Sequence, residues 1–198
     1  TLEGVNVYTK GKHIDFSSYD AVLSHAPNIR NHYRFLSKNY NKIKKIVFFF
    51  HGHEILITED YYPAPYVWQK DTYWIEKKLR KAYDQFKLLL IRKFLKKEKV
   101  GSIFVSEWML EEGLKNLKMQ DKDKIRMAVI NNSINYSFYN NHYIFNYENK
   151  KADFVTIRPL DGRKYAVDKV VDLARNNPKY TFHIYGKGEF FKHNTKPE

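Results

Sequence analysis

The chain has no cysteine. Disulfides and thiolate metal sites are therefore excluded, and the composition suits a reducing cytosol. No apolar run approaches the ~20 residues that a spanning helix needs. The longest, Ile46-Val47-Phe48-Phe49-Phe50, has the length of a strand. The opening residues Thr1-Leu2-Glu3-Gly4 carry neither the basic start nor the apolar stretch of a signal peptide. There is no initiator Met, which points to a start inside a longer chain or to processing. Internal repeats, low-complexity tracts and RNP-type, KH or helix-turn-helix signatures are all missing. Acidic residues are few: 22 against 35 Lys and Arg, a formal net charge of +13. That balance favours an anionic partner, whether nucleic acid, an anionic membrane face or a phosphate-bearing substrate, and charge alone does not choose among them.

Apolar material is plentiful. Hydrophobic residues make up 43% of the 198 residues and aromatics 17%, enough for a packed core and against disorder. Apolar runs alternate with amphipathic stretches, the pattern of βα units. Strands are expected at 19–25, 45–50, 100–106, 125–130, 154–157 and 181–185. Helices are expected at 29–40 behind an Asn28 cap, at about 72–99, at 107–117 and at 165–175. Residues 57–71 form a loop rich in Tyr, Pro and Trp, and 136–151 read as a connection between domains. The fold class is α/β with two Rossmann-like units, the first over about 1–140 and the second represented by its opening β-α-β over about 150–198.

In parallel sheets, function gathers where strands end and helices begin. Four such ends carry notable residues: His25, His51 to Glu54, Arg158 to Lys164, and Gly186 to Gly188. Arg158, Arg163 and Lys164 bring three cations to a loop just before a helix, a place that suits a diphosphate; a solvated basic loop explains them equally. Gly186-Lys187-Gly188 lets backbone approach a phosphate closely, or is an ordinary tight turn. His51-Gly52-His53-Glu54 offers acid, base or ligand groups, or structural histidines. A zinc site needs a further ligand, and the H-E-x-x-H helix motif is absent. The helix at 75–99 carries many cations between apolar residues. It reads either as a surface for an anionic membrane or as a plain helix with a core stripe and solvated charges. The segment Tyr61 to Trp68 reads either as a carbohydrate-stacking platform or as packed aromatic cover.

The order of these parts resembles the retaining GT-B-type glycosyltransferases of the "group 1" family, linked with capsule and cell-surface polysaccharide synthesis. Phe50-His51 is similar to the family's His facing the reaction centre. Val105-Ser106-Glu107-Trp108-Met109 resembles its strand-to-helix step. Val129-Ile130-Asn131-Asn132-Ser133-Ile134-Asn135 resembles the segment that leads to its interdomain linker, with Asn131 in place of Pro and Ser133 in place of Gly. Residues 154–174, followed by Phe182-His183-Ile184-Tyr185-Gly186-Lys187-Gly188, resemble the family's donor-side opening. Where the family has Gly-Arg-Leu, this chain has Arg158-Pro159-Leu160, and Tyr165 stands where a Gly follows the Lys. Two alignments stay open: either Arg158 takes the phosphate-binding place, or Leu160 is the anchor and Lys164 matches the family's Lys.

The resemblance implies sugar transfer from a nucleotide-sugar donor to a saccharide or lipid-linked acceptor, with retention at the anomeric carbon. It implies His51 and Glu54 as catalytic candidates, Ser106 and Asn132 beside the linker, and Arg158, Arg163, Lys164, Gly186 and Gly188 on the donor phosphates. No metal and no other cofactor are expected. No nucleic acid is expected as a partner, and the expected location is the cytoplasm, with the inner membrane face open to the basic helix. The family's Gly-rich loop and its acidic donor motif are not found in these residues, so a catalytically incomplete piece is expected. The rival readings are a basic nucleic-acid-binding protein and a non-catalytic scaffold derived from a transferase.

Overall fold

The structure is a computed structural model that describes residues 14–69, 73–120, 126–142 and 146–194. Its elements in chain order are β1 (Val22–His25), α1 (Arg34–Asn39), β2 (Ile46–Phe50), α2 (Thr58–Tyr61), α3 (Tyr73–Leu95), β3 (Val100–Phe104), α4 (Glu107–Leu117), β4 (Met127–Val129), α5 (Tyr136–Asn140), β5 (Phe154–Ile157), α6 (Val167–Asn176), β6 (Phe182–Tyr185) and α7 (Phe190–His193). The chain is α/β, with one parallel sheet in the order β1-β2-β3-β4 and a second of β5-β6. It divides into two compact units. One is Thr1–Leu56 with Asp84–Asn132, and the other is Ile57–Tyr83 with Ser133–Glu198.

The first unit is built on β2 and β3. Their alternation buries one set of side chains (Ile46, Phe48, Phe50, Val100, Ser102, Phe104) and leaves the other partly open. Phe50 pairs in register with Phe104, and their rings lie 5.3 Å apart. Phe94 of α3 meets Phe48 at 5.5 Å, and Tyr33 meets the same Phe94 at 5.2 Å. On α4, Gly113 sits against this face: a Cβ there would lie 2.8 Å from both Ile55 and Phe104. Both helices thus cover the same aromatic face, the expected response of a parallel sheet to an apolar side. The opposite face holds Leu23, which is exposed, and the half-buried Val47, Phe49 and Ile103.

Helix ends follow local chemistry. Asn28 Oδ1 accepts from Asn31 N at 2.8 Å, the expected cap, and opens a π-helical turn over Ile29–Tyr33 that runs into α1. Ser106 Oγ accepts from Met109 N at 3.2 Å and starts α4. Lys118, in the left-handed region at φ 51°, ends it. The expected helix start at Thr72, strand start at Ile125 and connection residues 143–145 lie outside the described residues. Within the expected connection, 136–140 form α5, capped by Asn135.

The second unit packs Tyr66, Leu160, Val167, Val171 and Phe190 into one core, with Trp68, Tyr165, Ile184 and Phe191 against it. The Tyr- and Trp-rich segment therefore serves as packed aromatic cover: Tyr66 stacks on Trp68 at 4.5 Å and meets Phe190 at 5.3 Å.

Phe48 is almost wholly buried and touches both its strand neighbour Phe50 and Phe94 of α3. Phe48→Ala is expected to cost about 3–5 kcal/mol of stability, read as a lower urea midpoint; an unchanged midpoint would mean that this face is not the core.

Candidate functional site

Parallel pairing sends the C-terminal ends of β1 to β4 to one edge of the first sheet. His25 ends β1, and His51 follows β2. Their Nε2 atoms lie 2.9 Å apart, within hydrogen-bond distance, and the tautomer of each ring decides which one donates. Both rings flank Phe49, at 5.2 and 5.0 Å. Beside this pair, a cavity of about 770 Å³ runs along β1 and is lined by Arg30, Arg34 and Lys38, one helical turn apart in sequence. Ser106 and Asn132 follow the next two strands. Ser106 is occupied as the α4 cap, and Asn132 is exposed.

Two buried charges hold the loop that carries His51. Glu54 is 1% exposed. Its Oε2 accepts from the backbone amides of His51 at 3.2 Å and Gly52 at 2.7 Å, while Oε1 lies 3.6 Å from His53 Nδ1. Lys87 of α3 works from the other side. Its Nζ donates to the carbonyls of His53 at 2.7 Å and Leu56 at 3.2 Å, and to Asp84 Oδ1 at 2.7 Å. Charge-assisted bonds of this kind are the strong ones. Glu54 thus positions His51 from inside the fold, and Lys87 is a buried anchor rather than one of the solvated cations of its helix.

In the second unit, the loops after β5 and β6 close on each other. Arg158 N donates to Tyr185 O at 2.9 Å, Leu160 N to Lys187 O at 2.8 Å, and Phe190 N to Leu160 O at 3.2 Å. Gly186 makes this closure possible: a Cβ there would lie 1.8 Å from the Arg158 carbonyl oxygen. Gly188 sits at φ 149°, and a Cβ would fall 2.6 Å from Leu160 C. Asp161 Oδ1 accepts from Glu189 N at 2.7 Å and locks the second loop to the first. Gln69 Nε2 donates to Asp161 O at 2.5 Å. The primary task of both glycines is this loop-to-loop contact.

Arg158 directly follows β5, and Arg163 and Lys164 lie in the 3-10 turn just before α6. Arg163 Nε lies 3.4 Å from Asp168 Oδ2. Lys164 Nζ lies over the Tyr165 ring at 5.0 Å. Helix α6 starts at Ala166, which is left-handed at φ 55° and makes no side-chain cap bond, so no capping side chain covers the helix start. Ala26, just after His25, is left-handed as well, at φ 46°. Each such residue costs about 1 kcal/mol, and both lie at strand-to-helix turns. Tyr66 OH reaches Asp168 Oδ1 at 3.3 Å, and burial pushes this phenol up from its ordinary value.

His25 as the partner of His51, and Asp161 and Asp168 among the cations, were not singled out as site residues by sequence reasoning. Their signal was position alone: His25 stands at a strand end, and the two carboxylates fall inside a basic run. Among the described residues, no three His, Asp or Glu side chains gather as a metal-binding group.

Gly186→Ala is expected to cost at least about 2 kcal/mol, because backbone rather than a movable side chain fills the space. Gly162→Ala is the control, with ordinary contacts of 3.5 Å or more and an expected change within about 0.5 kcal/mol. Urea unfolding of both variants checks this, and equal stability of the two would overturn the account of the closed loops. Comparison of the chain with protein-family models, with curated proteins and with solved structures finds no match.

Proposed function

We propose that the chain belongs to a GT-B-type glycosyltransferase that moves a sugar from a nucleotide-sugar donor to a saccharide or lipid-linked acceptor, with retention at the anomeric carbon, in cell-surface polysaccharide synthesis. The observation that carries this reading is the loop pair of the second unit. Two strand-end loops, closed through Gly186 and Gly188, carry Arg158 just after β5 and Arg163 and Lys164 in the turn that leads into a helix without a side-chain cap. The positive end of the helix macrodipole favours an anion, and Arg adds paired hydrogen bonds to phosphate.

In this reading the donor diphosphate lies on the 158–164 loop. The cations take up the negative charge that grows on the diphosphate as the bond to the sugar breaks, the electrostatic role that a metal plays elsewhere. Arg158 and Lys164 bind directly, and Arg163 is steadied by Asp168. In the first unit, His51 contacts the sugar or the acceptor, His25 Nε2 lies 2.9 Å from its Nε2 and orients the ring, and Glu54 holds its backbone. The enzyme works in the cytoplasm without a metal or other cofactor, and nucleic acid is not its ligand.

Calorimetric titration with UDP, GDP, ADP and CMP tests the proposal. Saturable binding of one of them is expected, weakened about tenfold or more in Arg158→Ala or Lys164→Ala. Binding of none, or binding that both variants leave unchanged, would sink it. Steeply salt-dependent binding of generic oligonucleotides would favour a nucleic-acid role instead.

A further inference from the structure

The cavity of about 770 Å³ beside β1 lies wholly within the first unit. Its volume falls in the range of small-molecule sites, roughly 300–1,000 Å³. One wall is apolar. Val22 is half-buried and Leu36 buried, while Leu23 and Phe35 stand 56% and 42% exposed. Large apolar side chains that line one concavity and still face water favour an apolar body against them. The hydroxyl in this lining, Ser24 Oγ, is buried and lies 3.0 Å from His32 Nδ1, so it is already met from within the fold.

The other wall is cationic. Arg30, Arg34 and Lys38 follow one another at four-residue steps along the turn Ile29–Tyr33 and α1. Among the described residues, none of these three side chains has a hydrogen-bond or ion-pair partner, and no Asp or Glu lines the cavity. The nearest carboxylates in the sequence are engaged elsewhere: Asp15 caps Phe16–Ser18, and Asp20 lies 3.4 Å from Lys44. Like charges four residues apart on a helix repel, and an anion between them relieves that repulsion. All three cations are exposed, so water and salt screen them and a bare anion gains little there. Most of the affinity must come from the apolar wall, while the cations select the sign of the charge.

We propose that the cavity along β1 binds a small organic anion with an apolar body, its head at Arg30, Arg34 and Lys38 and its body on Leu23 and Phe35. The inference rests on the first unit alone and holds whether or not the second unit takes a nucleotide.

Amide NMR of the full chain titrated with octanoate tests it. Saturable shifts are expected over residues 22–25 and 30–38. Acetate lacks the body and octylammonium has the wrong sign, so each should bind at least about tenfold more weakly. Leu23→Gln should weaken octanoate about fivefold, and Arg30→Gln combined with Arg34→Gln by a similar factor. These side chains are exposed, so the variants should keep the parent's urea midpoint. Absence of saturable shifts would overturn the proposal, as would shifts centred on residues 158–167 of the second unit. Equal affinity for octanoate and octylammonium would reduce the site to an apolar patch and overturn it too, and so would unchanged octanoate binding in both variants.

Discussion

Parallel strand pairing is the constraint from which the rest of this structure follows. Parallel neighbours need crossovers, and crossovers put helices on the sheet. In the first unit the aromatic face of Phe48, Phe50 and Phe104 is what those helices cover, and α3 and α4 meet it through Phe94 and Gly113. The same pairing sends every strand end to one edge. His25, His51, Ser106 and Asn132 therefore follow neighbouring strands although more than a hundred residues separate the first from the last. The second unit repeats the logic with two strands, whose ends lead into the closed loops at 158–164 and 186–189.

A strand end is only as well placed as the turn behind it, and the two units solve this differently. In the first, buried charge does it: Glu54 takes amides of the 51–54 turn, and Lys87 takes its carbonyls. Burying charge is costly where a partner is missing: Lys87 Nζ and Glu54 Oε2 are met by hydrogen bonds, while Glu54 Oε1 is buried with no hydrogen-bond partner among the described residues. In the second, the absence of side chains does it. Gly186 lets the backbones of two loops touch where any Cβ would collide. Left-handed Ala26, after β1, and Ala166, at the start of α6, mark two strand-to-helix turns as strained, and strain of that kind persists only where the surroundings enforce it.

Much of the fold was legible because its signals are local. The period-two burial of 46–50 and 100–104, the Asn28 and Ser106 caps and the spacing of Val167, Val170 and Val171 each need only a few neighbouring residues to be read. Helix α4 fell at Glu107–Leu117 as its pattern indicates, while α3 ended at Leu95 rather than near Lys99 because the chain turns there to enter β3. What stayed hidden depends on distant partners. Tyr66 and Trp68 read as platform or cover alike until Phe190 and His193 are seen beside them. Lys87 looked like its neighbours on a basic helix, since only the 51–56 turn makes it an anchor. Glu54 looked like an acid–base candidate for the same reason. The short helix α7 has too few residues to show a period. The cations at 158–164 were legible as a cluster. Their opposing carboxylate Asp168 was not, because its pairing with Arg163 depends on the turn at Ala166.

The central claim is that the closed loops of the second unit receive a diphosphate. Titration of the isotopically labelled chain with inorganic pyrophosphate, followed by amide NMR, tests it most directly. The account predicts saturable shifts confined to residues 158–167 and 186–189. Shifts scattered over lysine-rich surface, or centred on the strand ends of the first sheet, would contradict it.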